Sequence, residues 1–227
     1  MMFKKSLLAL SLSASMASAA MLLGFGAEAD YYAPVASGTF GYTSNGTTSA
    51  THFDSTSQGT YQVGAFFEHP VPLIPNIRID ATPRTSFTGS NGALGTNTVS
   101  INQTDITPYY EILDNVVELD IGVTLKMLDV TVGGTANQTL TQAIPMGYVA
   151  GAINLVGTGL HLMGNVKYLG HNSDYFMDGR VKAVWDISKG FQAEVGYRQE
   201  SLQLNNHFGV TSDVKIQGPF AGLAYTF

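Results

Sequence analysis

The sequence predicts an all-β fold, a closed antiparallel transmembrane β-barrel of about ten strands, with eight strands as the alternative. Three observations predict it. Apolar and polar residues alternate with period two through much of the chain, the mark of strands with two different faces. Only 12% of the 227 residues are charged while 44% are hydrophobic, against about a quarter charged in a soluble domain. Tight turns also alternate with long polar segments, matching the short periplasmic turns and longer extracellular loops of outer-membrane barrels.

The chain opens as a secretory signal peptide. Lys4 and Lys5 precede an apolar run from Leu7 to Leu12, and small residues stand at Ala17-Ser18-Ala19. The expected organisation is a signal peptide over 1–19 and one barrel over 20–227. A retained anchor helix is the rival, because no charge occurs between Lys5 and Glu28; the serines thin its apolar core. Without the two signal lysines, 9 basic residues face 17 acidic ones, which disfavours nucleic acid as a partner. The absence of cysteine removes disulfides, thiolate metal sites and a lipid-attachment thiol.

The first strand sets Leu23, Phe25, Ala27, Ala29 and Tyr31 against Gly24, Gly26, Glu28, Asp30 and Tyr32. In a membrane barrel the first set faces lipid and the second faces the lumen. The second strand, 61–68, runs into the proline cluster 69–75, where no ladder can continue. The third sets Ile77, Ile79 and Ala81 against Arg78, Asp80, Thr82 and Arg84. Further strands are expected at 105–113, 116–129, 146–155, 159–169, 175–186, 191–204 and 213–227. The segment 146–164 carries no charge and could pass for a membrane helix, but its five glycines favour a hairpin.

Between these strands, 33–57, 87–104, 130–145 and 205–212 read as long polar loops. Asp114-Asn115, Gly157-Thr158 and Ser188-Lys189-Gly190 read as tight turns. With a periplasmic amino terminus, these turns and 69–75 are periplasmic, and the loop containing Asn45 is extracellular. Aromatic girdles are expected from Tyr31, Tyr61, Tyr168 and Tyr175 near the outer rim, and from Phe67, Trp185, Phe191 and Phe227 near the periplasmic one.

Several stretches carry a resemblance. Glu68-His69-Pro70-Val71-Pro72-Leu73-Ile74-Pro75-Asn76, Tyr109-Tyr110-Glu111-Ile112-Leu113-Asp114-Asn115, Glu194-Val195-Gly196-Tyr197-Arg198 and Gly218-Pro219-Phe220 resemble a family of small Gram-negative outer-membrane β-barrel proteins. The ending Ala224-Tyr225-Thr226-Phe227 resembles the aromatic-ended last strand that barrel-assembly machinery recognises. The resemblance implies location in the cell outer membrane, contact with outer-membrane lipid and lipopolysaccharide, and help from periplasmic chaperones and the assembly machinery. It implies no ligand and no catalytic residue.

The alternation points a set of charges inward: Glu28, Asp30, Glu68, Asp80, Glu111, Glu118, Asp120, Asp178 and Glu194, facing Arg78, Arg84, Lys126, Lys167, Arg180, Lys182 and Arg198. The signs nearly balance, and a barrel of about eight strands is just wide enough for side chains to fill. The expectation is a lumen closed by paired charges, with Tyr109, Tyr148, Asn165 and Gln192 joining the network. Of the five histidines, only His161 and His171 sit where a strand could place them inside or at the rim. No phosphate loop, zinc motif or calcium loop occurs in the sequence, so no catalytic residue, cofactor or metal is expected. The leading reading is a structural or interaction barrel, the alternative a narrow channel for small solutes, and a barrel hydrolase or lipid-modifying enzyme comes third.

Overall fold

The computed structural model describes residues 23–44, 47–57, 59–90, 95–133, 138–207 and 210–226. The expected signal peptide, Asn45 and Phe227 lie outside the described residues. Twelve strand segments follow one another: β1 (Gly24–Tyr32), β2 (Val35–Ser44), β3 (Thr47–Ser57), β4 (Thr60–Glu68), β5 (Asn76–Ser90), β6 (Thr96–Leu113), β7 (Val117–Gly133), β8 (Gln138–Leu155), β9 (Leu160–His171), β10 (Asp174–Ser188), β11 (Phe191–His207) and β12 (Val210–Thr226).

β1 and β2 are the two halves of one barrel strand. β1 pairs with the end of β12 and β2 with its beginning. The break falls at Ala33-Pro34, where proline has no N–H to give the ladder. β3 and β4 are likewise halves of one strand, pairing with β2 and β1 respectively. Counted so, ten antiparallel strands close into a barrel, with β12 against β1 and β2. The residues 146–164 form the β8–β9 hairpin.

The expected strand count holds, but the strands are far longer than expected. β2 and β3 run through most of 33–57, β5 and β6 meet between Ser90 and Thr96, and β7 and β8 extend to Gly133 and from Gln138. Serine- and threonine-rich strands surrounded by water lack an apolar outer face, so their outer half reads as polar loop. Their inner half is apolar instead. Ala36, Phe53, Phe87, Val99 and Ile216 form a buried cluster inside this upper barrel, joined by Phe40, Ile101, Val130, Val132 and Val214. Phe53 and Phe87 meet edge to face at 6.4 Å.

The barrel therefore changes sense along its axis. In the lower half Ile77 and Ile79 are exposed while Asp105, Lys126 and Asp178 are buried; in the upper half the apolar side chains are inside. On β5 the switch is made by a bulge. The register to β6 shifts between Thr82 and Thr85, so inward positions are even up to Thr82 and odd from Thr85. Pro83 and Arg84 occupy the bulge and are exposed. This corrects the expected inward position of Arg84, whose guanidinium donates to Ser100 Oγ at 3.2 Å.

The outer surface of the lower half is a band of exposed Val, Leu, Ile and aromatic side chains. Trp185, 63% exposed, and Tyr175 stand ten residues apart on β10. At a rise of about 3.3 Å per residue and a tilt of about 45°, that is about 23 Å along the barrel axis, close to the roughly 25 Å apolar band of such barrels. Tyr31 lies edge to face against Tyr61 at 5.8 Å, and Tyr168 stacks on Tyr175 at 6.5 Å.

The turn after β4 shows why the two longest motifs go together. His69 N donates to Asn76 Oδ1 at 3.0 Å, and Leu73 adopts φ 81° at the turn. Tyr109 and Tyr110 hold this turn from β6, their hydroxyls donating to Glu68 Oε1 at 2.7 Å and to the Leu73 carbonyl at 3.0 Å.

Candidate functional site: the lumen

Three zones follow one another inside the barrel. At the end holding the 69–75 and 114–115 turns is a vestibule of about 510 Å³. Above it lies a charged seal, in which the space left among Asp80, Gln103, Lys167, Asp178 and Arg198 is about 10 Å³, room for no more than a single water. The apolar cluster follows, with about 60 Å³ unfilled.

The seal is built by six cations, Arg78, Lys126, Lys167, Arg180, Lys182 and Arg198, and seven carboxylates, Glu28, Asp30, Asp80, Asp105, Asp178, Glu194 and Glu200. Lys126 is its centre. It is 0% exposed and donates to Gln103 Oε1 and Asp105 Oδ2 at 3.0 Å and to Asp178 Oδ2 at 2.9 Å. Arg198 holds both oxygens of Asp178, at 3.0 and 2.8 Å. Lys167 bridges Asp80 at 3.0 Å and Asp105 at 2.6 Å. Glu28 gathers Arg78, Arg180 at 2.7 Å and Lys182 at 2.6 Å. These contacts join β1, β5, β6, β7, β9, β10 and β11 across the lumen. Each buried charge needs such partners to offset its lost hydration.

The vestibule is acidic. Glu68, Glu111, Asp114, Glu118 and Asp120 line it, and Arg78, Arg180 and Lys182 of the seal close its inner end. Among the described residues none of these five carboxylates has a salt bridge; Glu68 accepts from Tyr109 and Glu118 from Asn154 at 2.6 Å. The expected pairing thus splits. Glu28, Asp80, Asp178, Glu194 and the six inward cations come together, whereas Glu68, Glu111, Glu118 and Asp120 stand apart at the mouth, where water can solvate them.

Four members of the seal were not expected: Asp105, Glu200, Gln62 and Gln103. Glu200 was legible, since it shares the parity of Glu194 and Arg198 on β11. Asp105 lies where the sequence suggested a strand beginning rather than its middle, Gln103 lies in the expected loop 87–104, and uncharged Gln62 carries no signal in a count of charges. Of the expected polar helpers, Tyr109 and Gln192 bond to carboxylates, Gln192 donating to Asp186 at 2.8 Å. Tyr148 packs on Tyr109 with ring centroids 6.2 Å apart. Among the described residues no hydrogen bond of the Asn165 side chain is seen.

His161 faces the vestibule and is held at both ring nitrogens, by Asp186 Oδ2 at 2.9 Å and Asn154 Oδ1 at 2.6 Å. Its position beside an acid suits a general base, yet its second nitrogen meets an amide oxygen rather than a hydroxyl nucleophile. His171 is exposed at the opposite rim. His52, on the outer surface of β3, pairs with Thr39 Oγ1 at 2.8 Å.

No protein family and no curated protein matches the chain in sequence. Solved structures match its fold. The outer membrane protease OmpT from Escherichia coli superposes with a TM-score of 0.58 at 12% identity, over 90% of this chain and 97% of that one. Neisserial surface protein A (NspA) matches with a TM-score of 0.42 at 12% identity over 89% of this chain and 97% of that chain. The ten-stranded barrel described above is thus similar in fold to an outer-membrane protein.

Proposed function

We propose that this chain is an outer-membrane β-barrel with a closed, self-paired lumen, acting as a structural or interaction protein through its two ends rather than as a pore or an enzyme. The observation that carries the reading is Lys126, which sits fully buried at mid-lumen with its ammonium shared by Gln103, Asp105 and Asp178. A conducting pore needs a continuous hydrated path and tends to line its constriction with one sign of charge; here both signs interlock. The apolar cluster above blocks the path a second time. Lipid and the acyl chains of lipopolysaccharide suit the apolar band, while periplasmic chaperones and the barrel-assembly machinery are the partners expected during biogenesis. The fit of this fold to the outer membrane protease OmpT does not favour proteolysis, because His161, the histidine best oriented by an acid, has both nitrogens engaged.

Refolded protein in planar bilayers tests this. The expected result is a silent membrane at moderate potentials. Reproducible open steps like those of a general porin would overturn the closed lumen and make the solute channel the leading reading.

A further inference from the structure

The charged seal holds one carboxylate more than it holds cations, and the surplus falls on Asp30. This side chain is 2% exposed, and among the described residues it has no salt bridge and neither Oδ1 nor Oδ2 accepts a hydrogen bond from a donor. On β11, Glu194 gives Oε2 to Lys182 at 2.6 Å and leaves Oε1 unpartnered. The two acids face each other across β12, because Gly222 pairs with Asp30 on one side and Glu194 on the other. Gly222 also keeps the space between them clear; a Cβ there would stand 2.3 Å from Asp30 Oδ1. Oxygens of Glu28, Asp30 and Glu194 all lie within 4.8 Å of one another. Glu28 is already committed to Arg78, Arg180 and Lys182, and Lys182 bridges it to Glu194 Oε2, which leaves Asp30 as the member of the group that no cation holds. Gln62, opposite Asp30 on β4, gives its oxygen to Arg180 and Arg198 and makes no bond to Asp30.

Three buried carboxylate oxygens converge without a donor, an arrangement costly enough to need a positive partner. A proton can bridge two of them and would leave the third bare. A metal ion with a taste for oxygen can accept all three at once. We propose that Asp30 and Glu194, flanked by Glu28, bind one hard cation of the calcium or sodium type as part of the folded barrel. The ion would supply the charge that the seal lacks and tie β1 to β11 across β12.

The test uses the refolded mature chain in micelles, stripped with chelator into choline chloride. Calcium, or sodium in place of choline, should raise the urea midpoint of unfolding in a saturable way. If the ion is calcium, terbium should bind at one equivalent, show luminescence sensitised by Tyr32 two residues along β1, and be displaced by calcium. A response to sodium without terbium binding assigns the monovalent ion. D30N, which removes the surplus charge, should lose the response; E194Q serves if D30N does not fold. A midpoint indifferent to both cations would overturn the proposal, as would a protonated carboxyl band in the infrared spectrum of the wild type that D30N abolishes, since the pair would then share a proton.

Discussion

Replacing Lys126 by Met keeps most of the length and volume of the side chain and removes its charge together with its N–H donors to Gln103, Asp105 and Asp178. Three carboxylates lie within 4 Å of the ammonium: Asp178 at 2.9 Å, Asp105 at 3.0 Å and Glu200 at 3.7 Å. Each retains another cation after the change: Asp178 and Glu200 keep Arg198, at 2.8 and 3.2 Å, and Asp105 keeps Lys167 at 2.6 Å. Breaking a buried ion pair by deleting one partner costs about 3–5 kcal/mol. Because no acid is left bare, the lower end applies, and K126M should lose about 3 kcal/mol, a little over a hundredfold in the unfolding equilibrium. Equilibrium urea unfolding from lipid vesicles measures it, with Trp185, the single tryptophan of the chain and exposed on the lipid-facing band, reporting by fluorescence. The double variant K126M/D105N should recover part of the loss by removing an acid along with its partner. A K126M protein within about 1 kcal/mol of wild type would refute the reasoning, showing that the seal is hydrated or that its charges rearrange freely.

Two further substitutions test the change of polarity along the barrel. Val181→Arg places a charge on the apolar band, where Val181 is 61% exposed, and should cost about 2–4 kcal/mol by urea unfolding, whereas Asn102→Arg, on the exposed upper face of β6, should cost close to nothing; equal effects would misplace the band. Phe87→Ala empties the middle of the apolar cluster and should cost about 3–5 kcal/mol by the same measurement, and limited proteolysis should then cut the β5–β6 arms first; an unchanged midpoint would mean that the cluster is not a packed core.

The period-two pattern determined much of this protein by itself. In β1, β7 and β10 the outer face must be apolar for lipid and the inner face can be polar, so the two faces are written in alternate letters and the inward charges could be named residue by residue. The count of ten strands followed from the same pattern and from the tight turns between strands. What the tertiary structure alone decided lies where that pattern fails. Above the band both surroundings change, with water outside and packed side chains within, so β2, β3 and the upper arms of β5 to β8 lost the lipid signature and read as loops. At Pro83-Arg84 a single bulge reversed the parity and turned Arg84 out of the lumen, which no residue-by-residue alternation can anticipate. Pairing was also beyond the pattern, because it names a face and not a height or an angle around the barrel. Only closure of β12 on β1 brings Asp30 and Glu194 together, 164 positions apart in the chain, and only the register of the strands decides that Glu28 gathers three cations while Glu111 and Asp120 are left facing water.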